Sequence, residues 1–110
     1  MDSLDIWNEL RNLTGQTLKT LDQRKPFEIV AMTQSTIMVC PQRTGKARPI
    51  RRDGLQRAYH WLVGTGKLTL TEIENEFAPY NPVYVAAILA ALPGVRYTTR
   101  PIMLHMTIAP

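Results

Sequence analysis

Residues 53–73 read DGLQRAYHWLVGTGKLTLTEI. Leu55, Ala58, Tyr59, Leu62 and Val63 fall at positions i, i+3, i+4, i+7 and i+8. At 3.6 residues per turn they make one apolar stripe, so the spacing predicts a helix over 53–63. Asp53 is placed to cap its start, with Gln56 three residues on as reciprocal partner. Gly64 and Gly66 end it. A second helix follows from Thr69 to Phe77. Thr69 and Glu72 have the spacing of a capping box, and Leu68 with Ile73 that of a hydrophobic staple. Leu70, Ile73 and Phe77 form its buried stripe.

A third helix starts with Asn81 as cap and Pro82 at the first helical position, where a missing N–H costs nothing. It runs to Leu92, and Pro93-Gly94 stops it. Val95, Tyr97 and Thr99 then alternate with Arg96, Thr98 and Arg100. Ile102, Leu104, Met106 and Ile108 alternate with Met103, His105 and Thr107. Both runs read as half-buried strands. Upstream, residues 27–32 and 36–40 are β-rich runs joined by Thr33-Gln34-Ser35, which predicts an antiparallel hairpin. Thr17 to Leu21 is a short strand candidate. Residues 42–49 read as a loop, with Thr44-Gly45 at its tip. A first helix is expected over 4–13, capped by Ser3 and closed by Gly15. The architecture is therefore α+β: an N-terminal helix, a small antiparallel β unit, then three helices with C-terminal strands. The hairpin is expected to pair with those strands, because isolated hairpins are marginal in water. The 110 residues, 45% of them hydrophobic, suit a single domain over 1–110, with subregions 1–49 and 50–110.

Several classes are excluded by residue content. Cys40 is the only cysteine, so no internal disulfide forms. His60 and His105 stand apart, without the spacing of a zinc site. The longest apolar run, Val83 to Leu92, is half of the roughly 20 residues a bilayer span needs. Met1 to Leu10 lacks the basic start and apolar stretch of a signal peptide. The expectation is a cytoplasmic protein with no membrane segment, no metal and no cofactor.

Charge is concentrated. The whole chain carries a formal +4. Residues 42–57 hold Arg43, Lys46, Arg48, Arg51, Arg52 and Arg57 against Asp53 alone, a local +5 on a background of −1. An arginine fork grips phosphate with two hydrogen bonds. Cations at a helix start repel the positive end of its dipole, by a few tenths of a kcal/mol to about 1 each. Such a cluster is explained by an anion that offsets the repulsion, and the commonest polyanion is DNA or RNA. The bland reading is a solvated loop that pairs with Glu72, Glu74 and Glu76. Thr44-Gly45-Lys46 matches only the end of a phosphate-binding loop: the earlier glycine is missing, and Ala47 replaces Ser or Thr.

The stretch Gly66-Lys67-Leu68-Thr69-Leu70-Thr71-Glu72-Ile73, set between helices and followed by strands, resembles the winged-helix and helix-turn-helix domains over residues 50–108. In that family the third helix enters the major groove. Here Val83 to Leu92 has neither charge nor amide, so base reading is not carried over to it. Only Asn81 and Tyr84, at its start, can reach a base or phosphate. The arginine cluster is expected to carry the contact, helped by Arg96 and Arg100, and Tyr80 or Tyr84 could stack on an exposed base. No catalytic set stands out: Cys40, His60, Glu28 and Asp53 are isolated, and Glu72 is used as a cap. The leading expectation is a small non-enzymatic module that binds nucleic acid. The alternative is a protein–protein or homodimer-forming module using the uncharged helix 82–92 and the C-terminal strand. An enzyme with a site assembled from distant residues is the third.

Overall fold

A computed structural model describes residues 6–106. Among them the chain is α+β. Helix α1 (Trp7–Arg11) precedes β1 (Thr17–Lys19), β2 (Pro26–Met32), β3 (Thr36–Pro41) and β4 (Arg48–Arg51). Helix α2 (Arg52–Thr65) leads to β5 (Lys67–Thr69) and the single turn α3 (Leu70–Glu72), which widens into a π-helical turn (Ile73–Phe77). Helix α4 (Pro82–Ala90), β6 (Val95–Thr98) and β7 (Met103–Met106) complete it. The strands form two antiparallel sheets, ordered β1-β2-β3-β4 and β5-β7-β6.

Alternation builds the first sheet. Phe27, Ile29, Ile37, Val39 and Ile50 point inward and are buried. Thr17, Glu28, Cys40, Thr36 and Arg51 stand on the other face, as their register requires. A bulge between Ile29 and Ala31 puts one extra residue, Val30, outside the pairing. Trp7 and Leu10 of α1 belong to the same core. The Trp7 indole N–H donates to the Thr33 carbonyl at 3.1 Å, tying α1 to the β2–β3 turn. In the second sheet Leu68 and Leu104 face each other and are fully buried. One cluster of buried side chains joins both sheets with α2 and α4. Each such Leu, Ile or Phe contributes about 1.5–3 kcal/mol.

Helix α4 is buried on nearly every side: Val85, Ala86, Ala87, Ile88 and Leu89 all lie in the core. Its lack of charge follows from that position. Thr69 caps α3 as expected, with both halves of the capping box formed to Glu72. The hairpin of residues 27–32 and 36–40 is present as β2 and β3.

Other expectations are corrected. Residues 48–51 are not loop or helix start but a strand, and the hairpin extends through it instead of pairing with the C-terminal strands. Pro49 argues against a strand in general, yet an edge strand has N–H groups that need no partner. Of the C-terminal strands, β7 pairs with Lys67–Thr69 and β6 pairs with β7. Asp53 does not cap α2; Arg51 holds the N-cap position with no side-chain hydrogen bond. Helix α1 ends at Arg11, short of Leu13. Cys40, whose place at the end of an apolar run predicts a small buried hydrophobe, is instead half-buried on the outer sheet face. Ser3, Leu4, Thr107 and Ile108 lie outside the described residues.

Candidate nucleic-acid interface

Strand β4 passes straight into α2, with Arg51 extended (φ −77°, ψ 137°) and Arg52 already helical. The arginines of this junction have different duties. Arg52 is a brace. Its backbone N–H donates to the Ser35 carbonyl at 2.7 Å, and its guanidinium donates to the Gln34 carbonyl at 3.0 Å. The same guanidinium lies 4.9 Å from the Trp7 ring centre. The start of α2 is thereby fixed to the β2–β3 turn and to α1. Arg57 sits 3.7 Å from Asp53 and 5.5 Å from the Phe77 ring centre. Both partners of that ion pair are exposed, so it adds little stability. Arg48 lies 5.9 Å from the Tyr84 ring centre, and Tyr84 in turn packs edge-on to Phe27 at 5.0 Å.

Arg43 and Lys46, on the β3–β4 turn, and Arg51, on the outer sheet face, are uncommitted. Among the described residues their side chains make no ion pair or hydrogen bond. Gly45, at φ +66°, takes the left-handed conformation the turn needs. That turn opens onto a strand, so Thr44-Gly45-Lys46 lacks the helix N-terminus of a phosphate-binding loop.

One groove lies beside the β3–β4 turn, and two border β4 itself. The first, about 540 Å³, lies between Lys25, Arg43 and Tyr84. The second, about 240 Å³, lies between Pro49, Arg51, Phe77 and Tyr80. The third, about 660 Å³, lies between Gln34, Arg51, Arg52 and Gln56. Arg51 stands between the second and third. Asn81 closes the second, its Nδ2 donating to the Pro49 carbonyl at 3.1 Å. Lys25 and Arg43 share the first groove, and Arg51 and Arg52 share the third. Arg48 stands in register with the inward Val39, on the opposite face of β4 from Arg51. Asp53 is the only acid in these three linings.

Arg96 and Arg100 are on the second sheet's hairpin. Arg100 lies 3.7 Å from Asp22. Arg96 stands in register with His105, and His105 with Lys67. These three side chains form a cross-strand row on one face. Sequence reading missed Lys67 and His105 as members of a basic group, since only strand register reveals it. Lys25, outside any strand, was missed because it meets Arg43 only across the first groove.

Among the described residues no three His, Cys, Asp or Glu side chains gather closely enough to hold a metal ion. His60 meets Gln56 at 3.0 Å on the exposed side of α2. No described helix is long and apolar enough to cross a membrane. Compared with known proteins, the chain matches no family model, no curated protein and no solved structure.

Proposed function

We propose that this chain is a small binding module that holds nucleic-acid phosphates along β4 and the start of α2. The observation that carries the reading is the uncommitted trio Arg43, Lys46 and Arg51, on the turn and strand that lead directly into the braced Arg52. Arg52, already held in place, pays less ordering entropy on binding than a cation on a floppy loop. Contacts of this type give affinity on any sequence and position the polymer. The order α2, α3, α4 and then the β6–β7 hairpin supports a winged-helix-like arrangement. In that arrangement Arg96 and Arg100 lie on the hairpin that follows the helices. Helix α4 takes no part in contact, because its apolar side chains are used by the core of this chain. A partner protein is not needed to account for its composition.

The test is fluorescence anisotropy with labelled DNA and RNA between about 50 and 200 mM salt. Affinity is expected to fall linearly with salt on logarithmic axes, with a slope near −3 to −5 for about four to six phosphate contacts. Replacing Arg43, Lys46 and Arg51 together by Ala removes no side-chain hydrogen bond or ion pair among the described residues. It should leave the fold intact and make the slope shallower by about 2–3. No binding to either polymer at low salt refutes the reading.

A further inference from the structure

The aromatic side chains divide into the committed and the spare. Trp7 is buried under Arg52, Tyr84 packs on Phe27, and Phe77 lies between Trp61 and Arg57. Tyr80 is 89% exposed, twice the exposure of Trp61 or Tyr97. Folding therefore gains almost nothing from its ring. Yet the ring is not on a loose loop. Pro79 precedes it and Pro82 follows Asn81, so two fixed φ angles restrict the backbone on either side. Asn81 is tied to Pro49.

Tyr80 borders the 240 Å³ groove beside β4. Pro49, Phe77, Ala78 and Pro79 give it apolar walls, and Arg51 supplies charge at its edge. No acid lines it. Its volume is below the roughly 300–1,000 Å³ of sites that enclose a drug-sized ligand, so it suits one ring system. An exposed aromatic face on a restricted backbone, apolar walls and an uncommitted guanidinium match a planar π-system attached to an anion. An unstacked nucleotide has both. A base inside a duplex does not offer its face.

We propose that this groove takes one unstacked base of a single-stranded nucleic acid, stacked on Tyr80, with the adjoining phosphate on Arg51. The proposal rests on the reading of β4 and the start of α2 as a phosphate-binding surface. It adds that single strands are preferred over duplex. The preference comes from the ring and not from the cations, since phosphates are present in both.

The experiment titrates the full chain with a short labelled oligothymidylate, an abasic strand of the same length and a matched duplex. Tyr80→Ala, Tyr80→Phe and the Arg43, Lys46 and Arg51 triple alanine variant are compared with wild type. Wild type should favour oligothymidylate over both other probes. Tyr80→Ala should weaken oligothymidylate binding about tenfold or more and change duplex binding less than about twofold. Tyr80→Phe keeps the π-face and should retain binding. The ring is exposed, so thermal denaturation should be unchanged in both single variants. Equal binding of oligothymidylate by Tyr80→Ala and wild type overturns the base groove, as does equal affinity for the abasic strand. If the triple variant still loses binding in that case, the phosphate surface stands alone. If wild type binds none of the probes, both readings fall.

Discussion

Gly54 is the point at which α2 approaches the π-helical turn, and its replacement by Ala tests that approach. A Cβ built on Gly54 lies 2.5 Å from the Phe77 carbonyl oxygen and 3.5 Å from its carbonyl carbon. Ordinary contact begins near 3.4 Å, so the two backbones must part by about 0.9 Å. The obstacle is main chain, which cannot rotate aside. Forcing an extra methyl into a packed site costs about 1–3 kcal/mol. Against this, Ala is better than Gly inside a helix by about 0.5–1 kcal/mol. Because main chain must move, the cost lies in the upper part of that range, about 2–3 kcal/mol, and the net loss is about 1–2.5 kcal/mol, a fall in Tm of roughly 4–20 °C for a domain of this size. Gly64, in the same helix, supplies the control: no atom lies within 4 Å of its built Cβ. Gly64→Ala should therefore stabilise by about 0.5–1 kcal/mol. Thermal and urea denaturation followed by far-UV circular dichroism read both variants. If Gly54→Ala matches or exceeds wild type in stability, the close approach of Gly54 to Phe77 is not part of the fold.

Thr69→Ala removes the hydroxyl that accepts from the Glu72 N–H at 3.1 Å and should cost about 1 kcal/mol in urea denaturation, while Thr69→Ser should keep most of it. Trp7→Phe leaves the Thr33 carbonyl without its indole donor, with an expected loss of about 1–3 kcal/mol; Trp7→Ala adds a cavity and should cost about 3–5 kcal/mol in the same assay. Arg57→Ala breaks only an exposed ion pair and a ring contact, so its effect on stability should stay below about 1 kcal/mol.

What could be read from the sequence was whatever depends on near neighbours. The stripe from Leu55 to Val63, the Thr69–Glu72 box and the β2–β3 hairpin each rest on residues a few positions apart, and each is found. Strand β4 was hidden because its four residues hold a proline and two arginines. Only its partner β3 makes it a strand. Strand β5 was hidden because Thr69 ends the strand and caps the helix at once. The candidate interface divides in the same way. The density of arginine between residues 42 and 57 is a property of the chain and was visible. Which arginines are free is a property of contacts between distant residues: Trp7 under Arg52, Tyr84 beside Arg48, Phe77 beside Arg57. The exposure of Tyr80 beside the nearly buried surroundings of Tyr84 is also decided by packing, since both flank the start of α4.

The absence of any connecting residue between β4 and α2 has a consequence for how this chain can vary in length. One residue added at Arg51–Arg52 turns the following helix by about 100° relative to the sheet. Leu55, Ala58 and Leu62 then leave the core together, and Gly54 loses its place against Phe77. An addition in the exposed turn of residues 42–47 moves no buried side chain. Natural variants and engineered fusions should therefore gain or lose residues in that turn, while the junction keeps its count. The cations of the turn can change their reach from one variant to another, and those of the junction cannot.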